Sequence, residues 1–189
     1  MRKLNQIAIL FLMLVPAWGY SQYSLDASSS SLVVEGTSTL HDWEIEAEGM
    51  KGSASIDAAG KLEAVKSLSF TVVVDGLKSH KSGMDKNTYK ALNEDKYPNI
   101  TYTLKKVNGI SDAGGGKFKV STTGDLSIAG TTKSVDMDVM ATVSGSTVKF
   151  EGNYPMKMTQ FNIEPPTAMF GSIKTGDEIT VKYTVNYKK

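Results

Sequence analysis

From Val135 to Val143 every second residue is apolar: Val135, Met137, Val139, Ala141 and Val143, with Asp136 and Asp138 between them. Ile179, Val181, Tyr183, Val185 and Tyr187 repeat the pattern against Thr180, Lys182, Thr184 and Asn186. Shorter runs obey the same rule: Phe70, Val72 and Val74; Ile100, Tyr102 and Leu104; Phe118 and Val120. Side chains alternate across a strand, so a two-residue period gathers each apolar set on one face. Five such segments in 189 residues predict an all-β, antiparallel sheet with one face buried. "VSGSTV" (143–148) and "IAGTT" (128–132) have the length and glycine of hairpin links, and "DAGGGK" (112–117) reads as a looser turn. The two glycines of "EGMKG" (48–52) predict a bend or bulge within one extended stretch.

One segment breaks the rhythm. In "SGMDKNTYKALNEDKYPN" (82–99), Met84, Thr88 and Leu92 recur every four residues, and Lys, Ala and Leu fill the middle before Pro98 closes it. The spacing predicts one short amphipathic helix over about 85–93. A single helix cannot cover every alternating face, so the sheet must close on itself or fold into two layers. Strands, one helix and then more strands also argue against a parallel α/β sheet. Periodicity does not choose between a packed sandwich and a barrel with a cavity. An inward row reads the same whether it meets a side chain or a ligand.

The N-terminus changes the picture of where this sheet resides. Residues 1–22, MRKLNQIAILFLMLVPAWGYSQ, have a basic start at Arg2 and Lys3, an apolar run from Ile7 to Trp18, and a small, polar end. That is the layout of a cleavable secretory signal, expected to be cut within 19–23, after Gln22. The 12-residue apolar run is shorter than the roughly 20 residues that span a bilayer core. The expected product is a single domain over 23–189, located in the periplasm or secreted, with no stable transmembrane segment after processing. Losing Arg2 and Lys3, and no acidic residue, takes the net charge from +1 to −1. A near-neutral surface offers no electrostatic case for nucleic acid or for an anionic membrane. The chain has no cysteine, so neither a disulfide nor a cysteine-linked lipid is available, and the core must supply the stability.

Reactive side chains are sparse. His41 and Asp42 in "TSTLHDWEIEAEG" (37–49) resemble half of a catalytic pair, but neighbours on a strand point to opposite faces. The other histidine, His80, sits in a polar loop, and two histidines without a shared motif or a cysteine make no metal site. No G-x-S-x-G is present, and "DAGGGK" lacks the spacing and following Ser/Thr of a phosphate loop. Catalytic residues and metal ligands are therefore expected to be absent. The apolar inventory is richer, with Met156, Met158, Phe161, Met169 and Phe170 clustered toward the C-terminal half. Methionine suits both an ordinary core and an irregular apolar ligand, so the cluster is compatible with either.

Four stretches together resemble the YceI-like family of exported lipid-binding proteins: "VVEGTSTLHDWEIEAEG" (33–49), "SGMDKNTYKALNEDKYPNITYTL" (82–104), "GDLSIAGTTKSVDMDV" (124–139) and "PPTAMFGSIKTGDEITVKYTVNY" (165–187). The resemblance implies an extended lipocalin-like antiparallel barrel of about eight strands, with a polyisoprenoid, isoprenoid quinone or fatty amphiphile inside it. It also implies no enzymatic activity, no cofactor other than such a bound lipid, and no catalytic set to carry over. The matching positions Gly36, His41, Asp42, Trp43, Tyr97, Pro98, Gly124, Leu126, Gly130, Thr132 and Lys133 look mostly architectural. In a barrel of this kind the inward rows become the lining. Trp43, Phe70, Val72, Ile100, Tyr102, Leu104, Phe118 and Val120 are expected there from the first part of the chain, and Met137, Val139, Met156, Met158, Phe161, Ile179, Val181 and Tyr183 from the second. Met84, Leu92 and Phe170 are expected to gate or close one end. Two other readings remain open: an exported enzyme or stress-response factor using the His41–Asp42 region, and a scaffold with a solid interior. A homodimer is compatible with the sequence, which does not specify it.

Overall fold

The computed structural model describes residues 22–189; the expected signal, apart from Gln22, lies outside the described residues. In chain order the strands are β1 (Gln22–Leu25), β2 (Ser31–Ser38), β3 (Trp43–Ala47), β4 (Met50–Ala58), β5 (Leu62–Val73) and β6 (Leu77–Lys78). The helix α1 (Ser82–Leu92) follows, then β7 (Asn99–Gly114), β8 (Lys117–Ile128), β9 (Thr131–Ser144), β10 (Thr147–Lys157), β11 (Thr167–Ala168) and β12 (Ile173–Lys188).

Pairing reduces these pieces to a simple plan. β1 pairs with β4 and β2 with β3, while β4 pairs with β5 and β3 with β6. β1 with β2, β3 with β4, and β5 with β6 are thus each one long strand with a break, at 26–30, at 48–49 and at 74–76. The breaks lie side by side, tied by the Glu48 N–H donating to the Gly76 carbonyl at 2.7 Å. From β5 onward the sheet runs through β7, β8, β9 and β10 to β12, always antiparallel. β12 then pairs with β2 along one stretch and with β1 at its end, closing the sheet. The result is a closed eight-stranded, lipocalin-like barrel with extra short pieces and one helix. Closure gives each of the eight strands a hydrogen-bonded neighbour on both sides.

Local chemistry accounts for where the elements depart from their sequence-based limits. α1 begins at Ser82, ahead of the expected 85, because the Lys81 carbonyl accepts from the N–H groups of Met84 (2.9 Å) and Asp85 (3.0 Å). The Asp85 carboxylate in turn receives the Ser79 N–H at 2.8 Å and its hydroxyl at 2.5 Å. The helix ends at Asn93, which turns left-handed (φ 52°), and not at Pro98. Pro98 serves the sheet instead, where its carbonyl accepts the Val74 N–H at 2.9 Å and joins the entry of β7 to the end of β5. "EGMKG" is a break between two strands, made by Gly49 at φ +68°, and not a bulge inside one. "DAGGGK" is tighter than expected, since β7 and β8 stay paired as far as Gly114 opposite Lys117. The extra length of β7 is absorbed by register shifts between Leu104 and Lys106 and again between Val107 and Gly109.

The interior divides along the barrel axis. At the β1 end, Tyr23, Ile56, Val120, Val148 and Tyr187 are essentially inaccessible, and Phe118 and Phe150 pack with them. Phe150 meets Tyr187 edge to face, with ring centroids 6.0 Å apart, and the Tyr187 hydroxyl donates to the Ser69 carbonyl at 2.9 Å. This end is solid. Around α1, by contrast, no helix residue is fully buried.

Asp26 latches the closure. Its N–H donates to the Asn186 carbonyl at 2.8 Å, and its carboxylate accepts from Lys188 Nζ, the Ser28 hydroxyl (2.6 Å) and the Ser29 hydroxyl (2.8 Å). The Lys188 ammonium first, and then the two serines, hold the Asp26 carboxyl well below the usual carboxylate range. Since the folded group is the harder one to protonate, its contribution is complete above the ordinary value of about 3.9 and fades as pH falls below it. Asp26→Asn is expected to lower the urea midpoint near neutral pH and to converge on the parent protein in strong acid. A deficit of constant size across the pH series would refute the latch.

Candidate functional site

The inward rows converge on a hollow above the solid end. Along β8, Phe118, Val120, Thr122, Gly124, Leu126 and Ile128 are all buried, so a single parity faces the lumen throughout. Two of the glycines in these rows make room for aromatic rings. A β-carbon on Gly124 would collide with the Tyr102 ring, and one on Gly152 would lie 2.7 Å from the Tyr183 hydroxyl. Each ring therefore lies down over a glycine and does not fill the lumen. What remains is an inner cavity of about 190 Å³, walled almost entirely by apolar side chains. A second compartment of about 400 Å³ lies beneath α1, and Val34, Leu77 and Ile100 border both.

Most residues expected from the inward rows meet at these two spaces. Phe70, Val72, Leu104 and Val120 border the inner cavity, as do Ile100 and Tyr102. So do Met137, Val139, Met156, Val181 and Tyr183 from the second half. Trp43, Met84, Leu92 and Met158 border the outer compartment instead. Four lie elsewhere. Phe118 belongs to the solid end, Phe161 is packed with Met158 and Ile163, and Ile179 leans on that same cluster. Phe170 does not close the barrel: it is fully exposed, on a turn whose left-handed backbone (φ 54°) directs it outward.

Several lining residues carry little signal in the sequence. Thr122 and Tyr154 sit at inward parity on β8 and β10, but polar or isolated side chains weaken an alternation pattern. Leu32 and Val34 come from a strand whose burial is only partial along its length. Leu68 extends the Phe70–Val72 row by one step, whereas Val65 is put out of phase with it by the register shift between Ser55 and Ile56 in the β4–β5 ladder.

Polar atoms in the inner cavity are few. The Thr122 hydroxyl donates to the Met137 carbonyl at 3.1 Å, so the contact of 3.3 Å with the Tyr102 hydroxyl has the phenol as donor. Burial pushes the Tyr102, Tyr154 and Tyr183 phenols upward, keeping them protonated. The helix is pinned over the outer compartment by Tyr89, whose hydroxyl faces the Asp75 and Leu77 carbonyls at 3.0 Å each and accepts from Lys78 Nζ at 2.9 Å.

His41 and Asp42 do not form a catalytic pair. The His41 Nδ1–H donates to the Asp42 backbone carbonyl at 2.6 Å, and both side chains are exposed. His80 is also exposed, 3.7 Å from a Glu46 carboxylate oxygen. Among the described residues no group of three or more His, Cys, Asp or Glu side chains is placed to hold a metal. Also among them, no helix is long and apolar enough to cross a membrane.

A profile of the YceI-like domain matches residues 23–187. This chain belongs to the YceI-like family. Its fold matches Burkholderia cenocepacia BcnA at 21% identity and a TM-score of 0.69, covering 86% of this chain and 98% of the other. It also matches a polyisoprenoid-binding domain from Saccharophagus degradans implicated in plant cell wall breakdown, at 16% identity and a TM-score of 0.70, covering 88% and 97%. Campylobacter jejuni YceI aligns at 22% identity and a TM-score of 0.56 over 73% of this chain and 81% of that one. No curated protein sequence matches the chain.

The YceI-like motif positions now have physical roles. Gly36 lies under the Trp43 ring, where a β-carbon would clash, and the Trp43 indole N–H donates to the Thr37 carbonyl at 2.9 Å. Tyr97 covers Gly130 at the β8–β9 turn in the same way, so two motifs distant in sequence touch. Trp43→Ala is expected to destabilise by about 2 kcal/mol or more, because it empties a wall of the outer compartment. His41→Ala is expected to stay within about 0.5 kcal/mol of the parent, as an exposed ring bonded only to its neighbour. Denaturant titration of the two variants checks the contrast.

Proposed function

We propose that this YceI-like protein is an exported carrier or store that sequesters a long apolar molecule, such as a polyisoprenoid, an isoprenoid quinone or a fatty amphiphile, inside its barrel. The observation that carries the reading is the pair of adjoining apolar compartments, bordered together by Val34, Leu77 and Ile100, above a solid barrel end. A close-packed core would have no such space. Each ~100 Å² of apolar ligand surface withdrawn from water contributes ~2.5 kcal/mol, which a chain of several isoprene units exceeds well beyond its ordering cost. The polyisoprenoid-binding domain with which it shares a fold agrees with a ligand of this class. The exposed His41, bonded to a backbone carbonyl, favours binding over catalysis. The basic start and apolar run within residues 1–22 support export to the periplasm or beyond. No cofactor besides the lipid enters this reading.

Organic extraction of the purified protein, followed by mass spectrometry, is expected to release a long-chain apolar compound in near-stoichiometric amount. Val139→Trp, which places an indole in the inner cavity, is expected to lower that amount sharply while the protein still melts cooperatively. An extract without lipid from the parent protein, or full occupancy in the tryptophan variant, would overturn the proposal.

A further inference from the structure

Among the described residues, the large apolar side chains left exposed are Leu40, Met169 and Phe170, and all three belong to one rim. Leu40 lies in the turn between β2 and β3, whereas Met169 and Phe170 form the crest between β11 and β12. The Thr39 N–H donates to the Lys174 carbonyl at 3.0 Å, and the Lys174 N–H to the Thr39 hydroxyl at 3.1 Å, so the two turns are fastened together. Leu40, Ala168 and Ile173 border the compartment beneath α1, which puts both turns at its mouth. Phe170 is as exposed as in an extended chain, so its whole ring is available. Met169 (φ 50°), Phe170 (φ 54°) and Gly171 (φ +87°) are left-handed in succession, and only the glycine adopts that backbone without strain. Neither burial nor backbone preference accounts for a methionine and a phenylalanine on this crest. A partner that covers them does.

The size and charge of the rim decide what that partner is. Side chains of this kind present on the order of 400 Å² together, about half of the roughly 800 Å² per side that a stable protein interface buries. A second copy of this chain, or another folded protein, gains too little from them. A lipid surface has no such threshold, because each apolar side chain that enters it leaves water independently. The charged residues on and beside the two turns are of both signs: Lys81, Lys174 and His41 against Asp42 and Glu164. A balanced rim matches zwitterionic head groups, which carry both signs themselves, better than it matches an anionic surface. We propose that Leu40, Met169 and Phe170 dock the mouth of the barrel on a zwitterionic phospholipid bilayer, with the three side chains in the interfacial layer and Lys81 and Lys174 among the head groups. The compartment beneath α1 then opens toward lipid and not toward water. The inference goes beyond the carrier reading, since docking depends on the rim and not on what the barrel holds.

The test uses the chain from residue 23 onward, so that the apolar run of residues 7–18 contributes nothing, and vesicles of phosphatidylcholine. The parent protein is expected to sediment with the vesicles, and to do so almost equally at about 0.05 M and about 0.5 M salt, because apolar insertion is not screened. In the double variant Met169→Asn/Phe170→Asn, vesicle affinity is expected to fall about tenfold or more. Asparagine accepts the left-handed backbone, so the melting curve and the lipid extracted from the barrel are expected to stay as in the parent. A second variant, Phe170→Trp, reads insertion directly: its added emission shifts to the blue on vesicles and is quenched by phosphatidylcholine brominated on its acyl chains. A parent protein that ignores the vesicles overturns the inference, as does binding that vanishes at high salt, full binding by the folded double variant, or an unquenched tryptophan at position 170. A dimer in solution that the double variant dissolves overturns it too, since the tips would then cover one another. Each of these results leaves the carrier reading standing if the barrel still yields its lipid. An empty barrel that binds vesicles through Phe170 overturns the carrier reading alone.

Discussion

Everything inside this protein depends on β12 pairing twice on its second side, with β2 along its first part and with β1 at its end. Until that seam forms, the inward rows of the other strands share no lumen, and alternation buries nothing. Once it forms, each apolar row faces the others across a distance set by strand number and tilt, not by side-chain size. An eight-stranded barrel leaves an interior that side chains can just fill, or that smaller ones leave partly empty. Here the same eight strands do one at each end. Phe118, Phe150 and Tyr187 fill the first, whereas Val72, Val139 and Val181 leave the middle open.

Glycine opposite an aromatic ring is the device that makes the hollow compatible with so many large residues. Tyr102 and Tyr183 would block the lumen if they stood upright, and they lie against Gly124 and Gly152 instead. The rings keep the wall of the inner cavity almost entirely apolar. The helix follows the same logic. It is held at its rim by Tyr89 and covers a void, which explains why none of its residues is fully buried.

Much of the fold is legible in the sequence because alternation is a direct physical consequence of burying one sheet face. Val135 to Val143 and Ile179 to Tyr187 face inward as their period requires. The limits of elements are harder to read. The residue before α1, Lys81, offers no side-chain cap, and the helix's anchorage through Asp85 and Tyr89 reaches across to residues 75–79. The site is legible only in part, for a reason of principle. Phe118 and Val139 carry the same periodic signature, and which of them meets a neighbour or a space is decided by residues across the lumen. Phe170 resembles a closing residue on composition, but a left-handed backbone turns it toward water. The family resemblance selects the barrel where periodicity cannot.

The three aligned strand breaks, at 26–30, 48–49 and 74–76, separate the solid end from the compartment beneath α1. A molecule built this way holds its densest packing and its outer compartment in different storeys of one sheet. Helix residues around that compartment, such as Met84 and Leu92, can then change size without touching the packing of the solid end. Change around that compartment thus requires no change in how the barrel stands up, which fits a fold shared at 21% identity.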